Sequence, residues 1–311
     1  MLVKLLSGKS FFAQIILGIL FIILFLIKIH ALNFDWQAIT GIFLFVASAF
    51  VTLLFFQSSP LIKTKGLAVF YFLIWLFCFT EISFDFKQSA SLLMCTLIFW
   101  RLLVAEQSQE NIKFMFDIGI LLSISGFFFP PSFLVFGFLL FLFIYMRSVN
   151  LKGFILFLIG ITLPLIVGIQ LLYLIDQIDW LNSYQYAFCL DLWQVPVWGL
   201  IPVGILIILS WLDHLAQSAT QDINKRHQYF LAFLYFANWV IILILFAGEK
   251  VETLAYLGLP LTIFLTRFTQ YQKSETLKEI LLWVFLLTMG GFYFREEIIE
   301  IYNDLLGNVA F

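Results

Sequence analysis

The chain has 311 residues, of which 63% are hydrophobic and only 12% charged, with 40 Phe and a mean hydropathy of +1.04. Soluble domains are about half apolar and a quarter charged, so this composition excludes an ordinary soluble fold and makes the lipid bilayer the expected main solvent. A net charge of −2 without a basic face excludes a nucleic-acid partner.

Apolar runs long enough to cross about 30 Å of hydrocarbon recur along the chain. Backbone in lipid must satisfy its own hydrogen bonds, and the short alternating segments of a barrel are absent, so the expected class is all-α: a polytopic transmembrane helical bundle. The first span is expected over 10–32. Lys4 and Lys9 precede it as in a signal peptide. The run from Phe11 to Ile27 outlasts a signal core, and no small-x-small cleavage site is evident, so it reads as a retained helix. Further spans are expected at 37–57, 66–84, 88–105, 112–129, 132–147, 153–175, 196–213, 229–247, 251–267 and 278–294, eleven in all. The segment 251–267 is short and interrupted by Pro260.

Two segments read as amphipathic helices lying in the outer headgroup layer rather than crossing it. In 176–195, Ile178, Leu181, Tyr184, Phe188 and Leu192 recur at three- and four-residue steps. In 295–308, Ile298, Ile301, Tyr302 and Leu305 can share a face opposite Glu296 and Glu300. No linker divides the chain, so 1–311 is expected to be a single transmembrane domain.

Charge gives the orientation. With the N-terminus in the cytoplasm, the outside receives only Lys28, Lys87, Lys250 and Arg295 of the 17 Lys and Arg, and every inner loop carries a positive charge. The C-terminus then lies outside. The outer side is acidic and rich in Trp, as an aromatic belt requires.

The candidate functional residues are few. Asp35 follows the first span and can serve as a general base reachable from both water and lipid, with Lys28 and His30 as phosphate-binding neighbours and Arg295 as the one outer Arg. Glu81 and Asp85 are second-choice acids. If the first two hairpins pack together, they join Asp35 in a carboxylate set able to take a divalent cation; no cofactor is otherwise expected. The ordinary alternative is a snorkelling Lys, a boundary His and turn-forming Asp residues. Asp117 is an ionisable group inside a span and marks a site by default, although Lys113 at i−4 offers a structural ion pair. Phe34-Asp35-Trp36-Gln37 and Phe84-Asp85-Phe86-Lys87-Gln88 form two similar outer turns, read as a shared recipe for an interfacial turn. Pro130-Pro131 marks another outer turn, while Pro164 and Pro202 are expected as kinks within spans.

Cys78, Cys95 and Cys189 lack metal-ligand spacing, and His30, His214 and His227 divide between the two faces, so no metal site is expected. Nucleotide-binding, hydrolase and HExxH motifs are absent.

The Phe-rich texture, with Gly126-Phe127-Phe128-Phe129-Pro130-Pro131 leading to Arg147 and then Leu163-Pro164, resembles an uncharacterised family of multi-pass bacterial inner-membrane proteins. That resemblance implies an envelope location and no known activity. Residues 112–175 also resemble the middle of the membrane-embedded glycosyltransferases of the C superfamily, which use polyprenyl-phosphate sugars. In that family an acid in the first outer loop is catalytic, and Asp35 is the matching position. The family's first outer loop is usually long and holds helices of its own, whereas residues 33–36 make little more than a turn. Whether the chain is an enzyme stays open. The readings are glycosyltransferase-like handling of lipid-linked sugars at the outer leaflet, a non-catalytic membrane subunit or scaffold contacting other membrane proteins in an envelope-assembly complex, and a transporter.

Overall fold

The computed structural model describes residues 35–59, 61–105, 112–145, 151–176, 197–217, 223–246 and 251–295. Among these, ten α-helices and four 3-10 turns form the fold and no strand occurs. Lys28, His30 and most of both expected interfacial segments lie outside the described residues.

Helix α1 (Trp36–Ser58) starts where Asp35 adopts an extended backbone and takes the Trp36 N–H on its carboxylate at 2.6 Å. It buries Phe45, Ala49, Thr52, Phe55 and Phe56 at helical spacing and leaves Phe43 and Phe50 outward, where lipid can accept them. Helix α2 (Lys65–Cys78) is buried along most of its length and continues into a 3-10 turn (Thr80–Phe84). Helix α3 (Phe86–Ala105) then starts at Asp85, whose Oδ1 accepts from the Lys87 N–H at 2.9 Å and the Gln88 N–H at 3.3 Å. The two similar turns therefore share one device, an Asp capping a helix N-terminus. Gly41 lets α1 approach the turn before α3: a methyl there would stand 2.5 Å from the Ser83 carbonyl oxygen.

Helix α4 (Ile112–Phe128), a 3-10 turn (Pro130–Leu134), α5 (Val135–Tyr145) and α6 (Leu151–Leu174) follow. The prolines open the 3-10 turn, where their missing N–H costs no bond. Pro164 lies inside α6 and has no amide to give the carbonyl of Gly160. A 3-10 turn (Val197–Leu200) precedes α7 (Ile201–Gln217), so Pro202 occupies a first helical turn instead of the expected mid-span kink. Helix α8 (Ile223–Phe246), a 3-10 turn (Val251–Leu257), α9 (Gly258–Tyr271) and α10 (Glu275–Tyr293) complete the fold. Pro260 is the third residue of α9, again within the turn that needs no amide hydrogen, so it does not break the segment.

Side-chain contacts fix the helix directions. Phe55 meets Phe99 while Gly41 meets Phe86, so α1 and α3 run parallel. Gly119 meets Gly160 and Phe127 meets Gly168, so α4 and α6 run parallel. Ser91–Ser125 and Arg101–Asp117 make α3 and α4 antiparallel. Tyr71–Phe285 and Phe77–Tyr293 make α2 and α10 parallel. Trp75–Leu254 and Tyr71–Thr269 set α2 against the 3-10 turn and α9 in opposite sense.

Helix α9 occupies the centre. Gly258 through Arg267 are all buried, and α9 touches α2, α7, α8 and α10. A ring stack of Phe129 on Tyr256 (5.6 Å between centroids) and Tyr256 on Trp239 (4.3 Å) ties the end of α4 to α8.

Five segments, Trp36–Ser58, Leu151–Leu174, Lys225–Phe246, Val251–Tyr271 and Glu275–Tyr293, are long and apolar enough to cross a membrane. They make the chain a membrane-embedded helical protein.

Candidate functional site

Asp35, Glu81 and Asp85 are placed at helix starts. Asp35 is exposed, and its carboxylate accepts from the first amide of α1. Asp85 caps α3 through two amides. Glu81 is exposed in the first turn of the 3-10 segment. Of the first hairpin only α1 is described, and it lies on both α3 and that segment. Even so, no group of three or more His, Cys, Asp or Glu among the described residues could hold a metal ion. Arg295 lies at the end of α10, its guanidinium 4.8 Å from the Phe292 ring centre.

Asp117 pairs across helices rather than along its own. Its Oδ2 meets Nη2 of Arg101 on α3 at 2.5 Å, in place of the expected partner Lys113. The pair lies in a groove of about 590 Å³ lined by Leu97, Trp100, Arg101, Asp117, Ile120 and Leu121. Both side chains remain about two-fifths exposed, 43% and 40%. An apolar groove holding one opposed charge pair suits an amphiphile whose polar end can reach both charges.

A hydroxyl chain is buried where α3, α4 and the Pro130–Leu134 turn meet. Ser125 Oγ lies 2.7 Å from Ser91 Oγ, 2.9 Å from Ser132 Oγ and 3.1 Å from Cys95 Sγ. Tyr235 donates its hydroxyl to the Cys95 carbonyl at 2.9 Å, and Tyr256 to the Gln88 carbonyl at 3.0 Å. Short polar side chains bonded across helices join spans in lipid, and that is their physical role here.

One sequence-family model, described as a family of unknown function (DUF6427), matches residues 1–302. The chain belongs to the DUF6427 family. Against the curated proteins and against the solved structures the chain finds no significant match.

The most unusual constellation in this DUF6427 protein escaped the sequence reading. Arg267 on α9 is only 4% exposed. Its Nη1 donates to Nδ1 of His214 on α7, and its guanidinium carbon stands 4.0 Å from the Tyr229 ring centre and 5.5 Å from that of Tyr271. Because a guanidinium only donates, His214 Nδ1 must present its lone pair, which leaves the imidazole proton on Nε2. Lys63, just before α2, approaches the same Tyr271 ring at 5.7 Å. Tyr229 donates its hydroxyl to the Leu61 carbonyl at 3.0 Å and so locks the α2 approach to this corner. In sequence, Arg267 looked like one more charge at an inner helix end. Its partners come from α7, α8 and the segment before α2, which no local pattern could unite.

Proposed function

We propose that the chain is an eleven-span protein of the bacterial inner membrane, forming one transmembrane domain over 1–311, and that it serves envelope biogenesis as a non-catalytic membrane subunit. The alternating helix directions support the span count. The shorter α2 fits that scheme as well, since its 3-10 extension lengthens it to about 30 Å. The Lys and Arg bias of the loops supports a cytoplasmic N-terminus and an external C-terminus. Reporter fusions in the loops at 59–64 and 246–251, expected to report cytoplasm and exterior respectively, test this orientation.

The observation that carries the subunit reading is the employment of Asp35. A glycosyltransferase-like enzyme acting at the outer leaflet has Asp35 as its first candidate base, and that carboxylate is engaged as the cap of α1. The core also argues for a packed subunit over a conduit: stacked rings close the space between the end of α4 and α8, and the buried hydroxyls beside them are bonded to one another.

The deciding experiment is complementation. Asn caps a helix about as well as Asp but cannot act as a base. In cells deleted for the gene and scored for envelope integrity, Asp35→Asn and Asp85→Asn are expected to restore the wild-type phenotype. An Asp35→Asn protein made at normal level that fails to complement would overturn the subunit reading and reinstate lipid-linked sugar handling at Asp35.

A further inference from the structure

The guanidinium of Arg267 is incompletely satisfied. Nη1 is taken by His214 and the ring faces of Tyr229 and Tyr271 cover the plane, but Nε and Nη2 are buried and have no hydrogen-bond partner among the described residues. Cation–π contact serves the plane of the group and leaves its edge N–H donors untouched. Buried donors without acceptors cost free energy, and a buried charge costs more, so an orphan pair of this kind calls for an absent acceptor.

The geometry of the orphan pair specifies that acceptor. Nε–H and Nη2–H lie on one edge of the guanidinium and point in parallel, the side-on fork that grips two oxygens of a single oxyanion. Charges of both signs lie around it. Lys63 shares the Tyr271 ring with Arg267, and Arg226 acts electrostatically on His214. Asp213 exerts an opposing attraction on Arg267 but forms no hydrogen bond with Nε or Nη2. A fork plus a second flexible cation matches a phosphate, which offers two oxygens to the fork and further charge to the ammonium.

We propose that the Nε/Nη2 edge of Arg267, with Lys63 at the same Tyr271 ring, binds a phosphate group at the end of the bundle where α7 and α9 finish and α2 begins. The site is independent of the subunit reading above and of the membrane orientation. A phospholipid headgroup and a free phosphate ion would both present the required oxygens.

The test uses the full chain, purified and delipidated in an uncharged detergent, with thermal unfolding followed by Trp fluorescence. The probes are short-chain phosphatidylglycerol, the diacylglycerol of the same chain length, and inorganic phosphate. Wild type is expected to melt about 5 °C higher with phosphatidylglycerol than with diacylglycerol at saturation. The gain should vanish in Arg267→Met and shrink in Lys63→Gln. Arg267→Lys keeps the charge without the fork and is expected to lose most of the gain. It and Lys63→Gln serve if Arg267→Met does not fold. A matching gain with inorganic phosphate identifies the free ion as sufficient, and a gain with phosphatidylglycerol alone identifies the lipid headgroup. No gain from either phosphate source, or a gain that survives unchanged in the Arg267 and Lys63 variants, overturns the site.

Discussion

Gly119 and Gly160 meet at the crossing of α4 and α6 with no room for a methyl on either. A Cβ on Gly160 would stand 2.6 Å from the Phe116 carbonyl oxygen and 3.2 Å from Gly119 Cα, and one on Gly119 would stand 2.5 Å from the Phe157 carbonyl oxygen. The obstruction is backbone, which cannot swing aside, so the helices must separate. Gly119→Ala and Gly160→Ala are each expected to destabilise the fold by about 1–3 kcal/mol. Gly137, with nothing within 4 Å, is the control. Gly137→Ala should leave stability unchanged or raise it by about 0.5–1 kcal/mol. Unfolding in mixed micelles with rising SDS separates the two outcomes.

The Arg101–Asp117 pair is half open, so its attraction is screened wherever water or headgroups reach it. A double-mutant cycle with Arg101→Gln and Asp117→Asn is expected to give a favourable coupling of about 1 kcal/mol or less. Lys113→Gln combined with Asp117→Asn should give none, because the cross-helix partner and not the i−4 neighbour holds the carboxylate.

The capping role of Asp35 and Asp85 separates two substitutions at each position. Replacement by Ala should cost about 1 kcal/mol, and replacement by Asn only a few tenths. Melting temperatures of the four variants check the contrast. Asp85 is expected to show the larger Ala penalty, since it accepts from two amides where Asp35 accepts from one.

Ser125 is the hub of three side-chain contacts, whereas Ser91 and Ser132 each reach the chain through Ser125. Ser125→Ala strands its neighbours' hydroxyls in an apolar core and should cost about 1–2 kcal/mol. Ser91→Ala removes one contact and should cost less, near the 0.6 kcal/mol average for hydrogen bonds between membrane helices. The same SDS titration ranks them.

Asp176 ends α6 with φ of 55°, the one non-glycine residue at positive φ among the described residues. Asp176→Gly should raise stability by up to about 1 kcal/mol, because glycine enters that left-handed region without a Cβ penalty. A higher melting temperature is the expected reading.

Much of this fold was legible in the sequence because lipid imposes a simple grammar. Apolar runs placed the helices, and Asp35 and Asp85, read as turn residues, prove to cap the helices that follow, a local role that sequence position alone makes available. Pro202 and Pro260 misled for an equally local reason. A proline reads as an interruption until the helix start is known, and both lie in first turns. The candidate site was far less legible. Asp117 was singled out, but its partner lies on a neighbouring helix 16 residues earlier. Arg267 gained meaning only from His214, Tyr229 and Lys63, and the contacts that join them are made by packing rather than by sequence spacing.

The central helix has a consequence for how the protein is made. Val251–Tyr271 is markedly less apolar than Trp36–Ser58, Leu151–Leu174 and Lys225–Phe246, and the rest of the chain buries most of it. A segment carrying Thr262, Thr266, Arg267 and Thr269 gains little by partitioning into lipid alone. It emerges from the ribosome after α2, α7 and α8, three of the four helices that line its place. Its entry into the membrane is thus a docking step onto earlier helices, and damage to their inward faces would show first as failure of α9 to integrate.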